Sequence, residues 1–92
     1  MTITFVGHGY VGLVSAAVFA DLGNKVWVIG HTPEKIENLK KGIVPIYEPG
    51  LDELVKRNVD AGRLLFTLDY DPSIKESEVV FVESKRTKFS IV

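Results

Sequence analysis

Cysteine is missing altogether from the 92 residues, and there are only one methionine and one tryptophan. Without cysteine there is no disulfide, no thiolate metal site and no cysteine nucleophile in this stretch of chain. Charge of one sign is missing too: 11 lysines and arginines face 12 acids, for a formal net charge of −1. Domains that grip nucleic acid are usually strongly basic, so nucleic acid is not the expected partner. No long apolar run is present. Val11 to Ala20 is the longest, interrupted by Gly12 and Ser15, and it is half of the roughly 20 residues that a membrane span needs. The opening Met1-Thr2-Ile3-Thr4-Phe5-Val6 has no basic segment of the kind that begins a secretory signal, which makes the cytoplasm the expected location. There are no internal repeats, no low-complexity segment and no linker.

What is present is the material of one soluble domain: 46% hydrophobic and 25% charged residues, enough for a core and too few residues for two domains. Ile3-Thr4-Phe5-Val6 is a nearly continuous apolar run, the pattern of a strand covered on both faces of a parallel sheet. Tyr10 to Leu22 is longer and rich in small residues, which predicts a buried helix closed by Gly23, with Asn24 helping the turn. Lys25 to Ile29 reads as a second strand ending at Gly30. Thr32-Pro33 reads as an N-cap and first position of a second helix, which turns Ile36 and Leu39 inward and ends near Gly42. A third helix from about Pro49 presents Leu51, Leu54 and Val55. Arg63 to Thr67 is a third strand, Pro72 to Lys75 a short helical piece, and Val79 to Val82 a fourth strand.

This order predicts an α/β fold, a Rossmann-like parallel sheet of about four strands with helices on both faces. Right-handed crossovers give the strand order 3-2-1-4. Residues 1–83 are read as a dinucleotide-binding half-domain and residues 84–92 as a basic and apolar tail, extended or without fixed place. A fourth strand left bare at the sheet edge is a template for pairing, so a homodimer is expected, with Phe89-Ser90-Ile91-Val92 able to join a neighbour's sheet. Lys85 and Arg86 would emerge at the carboxyl edge of the sheet, where ligands of such folds bind.

The chemistry rests on Gly7-His8-Gly9-Tyr10-Val11-Gly12. Alone, G-x-G-x-x-G says little; here it follows a predicted strand and opens a predicted helix, as a dinucleotide site requires. Gly7 allows the tight turn, Gly9 lets the backbone approach a pyrophosphate, and Gly12 lets the helix pack closely on the strand. Helix N-terminal amides then hold the phosphates. An acid is expected about 20 residues on, where it binds the ribose hydroxyls, but Gly30 stands there, followed by His31 and Thr32. Without that carboxylate a 2′-phosphate is not repelled, and His31, Thr32 and Lys35 are placed to contact one. NAD or NADP is therefore the expected cofactor. The alternative is a pocket that has lost an acid and gained nothing. His8 and His31 are the only histidines, and neither has a partner at ligand spacing, so no metal is expected. Asp52-Glu53, Asp69 and Asp71 read as solvated charge, and no catalytic residue is assigned.

Gly7-His8-Gly9-Tyr10-Val11-Gly12-Leu13, Glu34-Lys35-Ile36, Pro45-Ile46-Tyr47-Glu48-Pro49-Gly50-Leu51, Gly62-Arg63-Leu64, Thr67-Leu68-Asp69-Tyr70 and Glu78-Val79-Val80-Phe81 together resemble the N-terminal domain of the UDP-glucose/GDP-mannose dehydrogenase family. The likeness runs from Met1 to about Val82. It implies a Rossmann domain that binds NAD, in enzymes that oxidise a nucleotide-sugar alcohol to a carboxylate by two hydride transfers. It places the Tyr10 and Val11 backbone at the pyrophosphate and Lys35 near the adenosine ribose, and gives Pro45–Leu51 the structural task of setting the angle of the third helix. Gly30 replaces the family's ribose-binding aspartate. Glu83-Ser84-Lys85-Arg86-Thr87 replaces its Gly-Thr-Pro turn at the cofactor. The family's catalytic cysteine, its helper lysine and its sugar-binding domain have no counterpart in these residues. The resemblance therefore implies a cofactor-binding domain that does not oxidise a nucleotide sugar alone. The alternatives are a subunit active only with a separate substrate-domain chain, and a non-catalytic nucleotide or redox sensor.

Overall fold

The computed structural model describes residues 1–7, 10–44, 48–71, 73–83 and 89–91, with backbone only at 10, 11, 83 and 89–91. Five strands and four helices follow in the order β1 (Thr2–Val6), α1 (Tyr10–Asp21), β2 (Lys25–Ile29), α2 (Pro33–Lys40), α3 (Leu51–Asp60), β3 (Leu64–Thr67), α4 (Ser73–Glu76), β4 (Val79–Glu83) and β5 (Phe89–Ile91). One sheet holds all the strands in the order β3-β2-β1-β4-β5. The four expected strands are parallel and in the expected order.

Register explains why the apolar runs are nearly continuous. Ile3 lies beside Val26, which lies beside Leu64; Phe5 lies beside Val28 and Phe81, and Val28 beside Phe66. Neighbours in a register share a face, so these seven side chains form one surface. Leu13, Ala16, Ala17 and Ala20 of α1, Ile36 and Leu39 of α2, and Leu51 and Val55 of α3 close over it. The alanines bring α1 close to the strands, and Phe19 packs beside them over Phe5 and Phe81, with the Phe5 and Phe81 rings stacked at 5.0 Å. The C-terminus of α1 turns as expected. Gly23 has φ +106°, its N–H donates to the Ala20 carbonyl at 3.0 Å, and Asn24 Nδ2 donates to the Phe19 carbonyl at 2.9 Å.

Thr4 points to the opposite face, as an alternate residue must. It is fully buried, donates to the Ser73 carbonyl at 3.3 Å and shares a hydrogen bond with Ser77 Oγ. Beside it in the register, Trp27 Nε1 donates to Glu76 Oε1 at 2.9 Å, and Lys25 pairs with the same oxygen at 2.8 Å. The short helix α4 therefore covers this face, while α1, α2 and α3 cover the other. Helices lie on both sides, as a right-handed β3-to-β4 crossover demands.

Two expectations need correction. The fourth strand is not a bare edge: β5 pairs with its outer side antiparallel, Phe81 opposite Ile91, Val82 opposite Ser90 and Glu83 opposite Phe89. Residues 84–88 are all that join the two strands, and so short a link permits only an antiparallel return, since a parallel neighbour needs a crossover of a dozen residues or more. Residues 89–91, read as part of a tail, thus belong to the sheet, and the edge argument for pairing through β4 falls. The second correction concerns Thr32. It holds the N-cap position before Pro33 with an extended backbone, but its side chain makes no cap hydrogen bond.

Candidate functional site

Val6 is level with Ile29 and Val82, and Ile29 with Thr67, so the four parallel strands finish at one edge. The chain leaves β1 through Gly7, which is buried at φ +111° and donates its N–H to the Ile29 carbonyl at 2.7 Å. That ladder bond carries β1 one residue beyond Val6 before the turn. A side chain at this φ would be strained, so the glycine is required by the backbone itself.

Helix α1 begins at Tyr10, with Tyr10 and Val11 helical in their backbone. Gly12 is buried in its first turn and Leu13 is fully buried just after it, which ties the start of the helix to the sheet. No acid lies in that first turn, so nothing there opposes an anion at the helix N-terminus. His8 and Gly9 lie outside the described residues.

Strand β2 reaches the same edge. Gly30 is buried, and its N–H donates to the Thr67 carbonyl at 2.9 Å. It therefore sits between the Gly7 turn and the end of β3. His31 is exposed, Thr32 is half-buried, and Lys35 is exposed on the first turn of α2. The Thr32 carbonyl accepts the Ile36 N–H at 3.1 Å, while buried Ile36 and Leu39 hold α2 against the core. Gly7, Gly12, Gly30, His31, Thr32 and Lys35 thus gather around one edge of the sheet, on β1, α1, β2 and α2. Lys85 and Arg86 lie outside the described residues, as do the first three residues of Pro45–Leu51.

The sequence placed the end of β3 at Thr67 but assigned Thr67 and Leu68 no role at the site. Thr67 holds Gly30 through its carbonyl and accepts the Asp69 N–H on its hydroxyl at 3.0 Å. Leu68, directly after the strand, is 41% exposed. An exposed large apolar residue at a strand's carboxyl end is the signal that was available there. Asp69 and Asp71 are exposed, as are Asp52 and Glu53 in the first turn of α3. Among the described residues no three acids or histidines are grouped to hold a metal, and no helix is long and apolar enough to cross a membrane. A shallow recess of about 250 Å³ lies between Val14 of α1 and Pro49, Leu51 and Leu54 around the start of α3. Among the described residues it includes none of the glycine turn or the end of β2.

At the opposite end of the strands the polar groups are interlocked. Asp21 Oδ1 accepts from Arg57 Nε and Nη2 at 3.1 and 2.9 Å and from Asn58 Nδ2 at 3.1 Å. Fully buried Asn58 also donates to the Leu54 carbonyl at 2.9 Å and accepts from Arg63 Nε at 3.0 Å. The hydrogen bond from Asn58, followed by that from Arg57, lowers the Asp21 pKa below the ordinary aspartate value. Glu76 is lowered likewise, first by Lys25 and then by Trp27.

The sheet order reverses direction between β1 and β4, and ligands of open α/β sheets bind at such a switch point, outside the carboxyl ends of the strands. A buried left-handed glycine turn there, leading into an acid-free helix N-terminus, defines a dinucleotide-binding domain of the Rossmann class. Residues 1–85 match the NAD-binding domain of the UDP-glucose/GDP-mannose dehydrogenase family, and the chain belongs to that family. It is 52% identical over 82 residues to a UDP-glucose 6-dehydrogenase of Rhizobium meliloti (strain 1021), spanning 89% of this chain and 19% of that one. A UDP-glucose 6-dehydrogenase of Bacillus subtilis (strain 168) is 48% identical over 80 residues, with 87% and 17% covered. The crystal structure of a ternary complex of GDP-mannose dehydrogenase from Pseudomonas aeruginosa superposes with a TM-score of 0.85 at 32% identity, over 98% of this chain and 22% of that one. The chain therefore spans about a fifth of the length of these relatives.

Proposed function

We propose that this domain holds NAD or NADP across the glycine turn, with the pyrophosphate on the N-terminus of α1 and the adenosine ribose beside Gly30, His31, Thr32 and Lys35. The observation that carries the reading is Gly7: buried, at φ +111° and hydrogen-bonded to Ile29, it delivers the chain to a helix whose first turn holds no acid. When bound, the cofactor supplies a hydride acceptor. This chain's own residues supply only its grip and orientation: backbone amides for the phosphates, and the ends of β2 and β3 for the adenosine side. The names of the relatives, those of nucleotide-sugar dehydrogenases, support a nucleotide sugar as the substrate class of the whole enzyme, and the cytoplasm is the location we propose. The test is calorimetric titration of the 92-residue chain with NADH and NADPH. Saturable binding at one site per chain is expected; no heat of binding at millimolar cofactor overturns the reading.

A second reading, that oxidation needs a separate chain carrying the substrate domain, is favoured by the sheet face under α4. Val6, Trp27, Leu65, Val80 and Val82 are only half-buried there, in contrast to the sealed face beneath α1. Nicotinamide absorbance in a mixture of this chain, UDP-glucose and NAD tests it: turnover by the chain alone refutes the need for a partner. A homodimer remains part of the proposal through the outer strands β3 and β5, which are the two edges of the sheet among the described residues. Light scattering at micromolar concentration checks it, and a monomeric mass refutes it.

A further inference from the structure

We propose, building on the dinucleotide reading above, that the end of β2 makes this site prefer the 2′-phosphorylated dinucleotide, NADPH over NADH. In a Rossmann site the residue at this position is ordinarily an acid that accepts both ribose hydroxyls, and the same negative charge repels a 2′-phosphate. Here the position is Gly30, buried between the Gly7 turn and β3, with its N–H committed to the Thr67 carbonyl at 2.9 Å. It has no side chain to offer the hydroxyls and no charge to repel a phosphate.

The groups that follow suit a phosphate better than a diol. Lys35 is exposed on the first turn of α2 and makes no ion pair among the described residues. The Thr32 hydroxyl is not spent on capping α2. His31, next to Gly30, is exposed. A lysine ammonium and a threonine hydroxyl make charge-assisted hydrogen bonds to phosphate oxygens that are roughly twice as strong as neutral ones. The carboxylates on neighbouring elements among the described residues include Glu34 and Glu37 of α2 and Asp69 and Asp71 beyond β3, all exposed, where solvent screens them. None replaces an acid at the end of β2.

The test is competition between the two reduced cofactors on the wild-type chain, read as nicotinamide fluorescence. NADPH is expected to bind about tenfold more tightly than NADH at low salt, the difference that one charge-assisted contact supplies. Lys35→Ala is expected to remove most of that advantage by weakening NADPH far more than NADH, and Gly30→Asp to reverse it. Should Gly30→Asp fail to fold, the wild-type ratio and Lys35→Ala decide the matter without it. Equal or tighter binding of NADH by the wild type overturns the preference and leaves the dinucleotide reading intact. Binding of neither cofactor overturns both.

Discussion

The two ends of the sheet are built on opposite plans. At the amino ends of the strands, Asp21, Arg57, Asn58 and Arg63 tie α1, α3 and the start of β3 together through side chains, with Asn58 fully buried and bonded on both its oxygen and its nitrogen. At the carboxyl ends, backbone does the joining: Gly7 N–H to Ile29, Gly30 N–H to Thr67, and a threonine at an N-cap that does not cap. One end uses its polar side chains to hold helices in place. Among the described residues the other is joined mainly through backbone groups, with the Thr32 hydroxyl not spent on its cap. A binding edge must leave polar groups for its ligand, so the fold's polar stability is concentrated at the far end.

The sharpest way to break this contrast is Asn58→Ala. It strips partners from Asp21, Arg63 and the Leu54 carbonyl, and the expected cost is about 1–3 kcal/mol for leaving buried polar groups unmet. Urea unfolding should show that loss while cofactor affinity stays unchanged; a fall in affinity would mean that the two ends are not separate. Gly7→Ala works the other end. A left-handed conformation costs a non-glycine residue about 1–2 kcal/mol, and dinucleotide binding should fall far more than this loss of stability accounts for. Retention of full affinity in calorimetry would remove Gly7 from the site.

Acid should act on the far end first. Asp21 and Glu76 have folded pKa values lowered below the ordinary carboxylate range, Asp21 chiefly by Asn58 and Glu76 chiefly by Lys25. A lowered folded value adds stability that is fully present above the unfolded pKa and is lost as pH falls through the folded one. Thermal midpoints should therefore be flat near neutrality and decline below about pH 4, with a shallower decline in Asp21→Asn. An equally steep decline in that variant would remove Asp21 as a source. The smallest effect on stability is expected from Lys35→Ala, within about 0.5 kcal/mol because the site is exposed.

Much of this molecule was legible in the chain. The ends of β2, the start of α2 at Pro33 and the glycine turn all follow from local rules: β-branched runs, a proline where no N–H is needed, and a glycine where φ is positive. The missing acid at Gly30 was legible for the same reason, since the motif fixes its distance from Gly7. Asn58 was not. Nothing in the run Leu51–Asp60 marks it as buried, because its partners, Asp21 and Arg63, come to it only when α1 packs on α3. Leu68 and Thr67 entered only as part of a motif, with no role, because their importance depends on β3 lying beside β2.

By itself the sequence determined the element types, the glycine turn with the helix after it, the family, and the absence of a carboxylate at the end of β2. These depend on backbone conformation and short-range spacing, which travel with the residues. Only the tertiary structure decided that β5 folds back onto β4, that α4 covers the Thr4 face alone, and that polar side chains are interlocked at the amino ends of the strands. Such pairings join residues far apart in the chain, and their energy exists only once the sheet has brought them together.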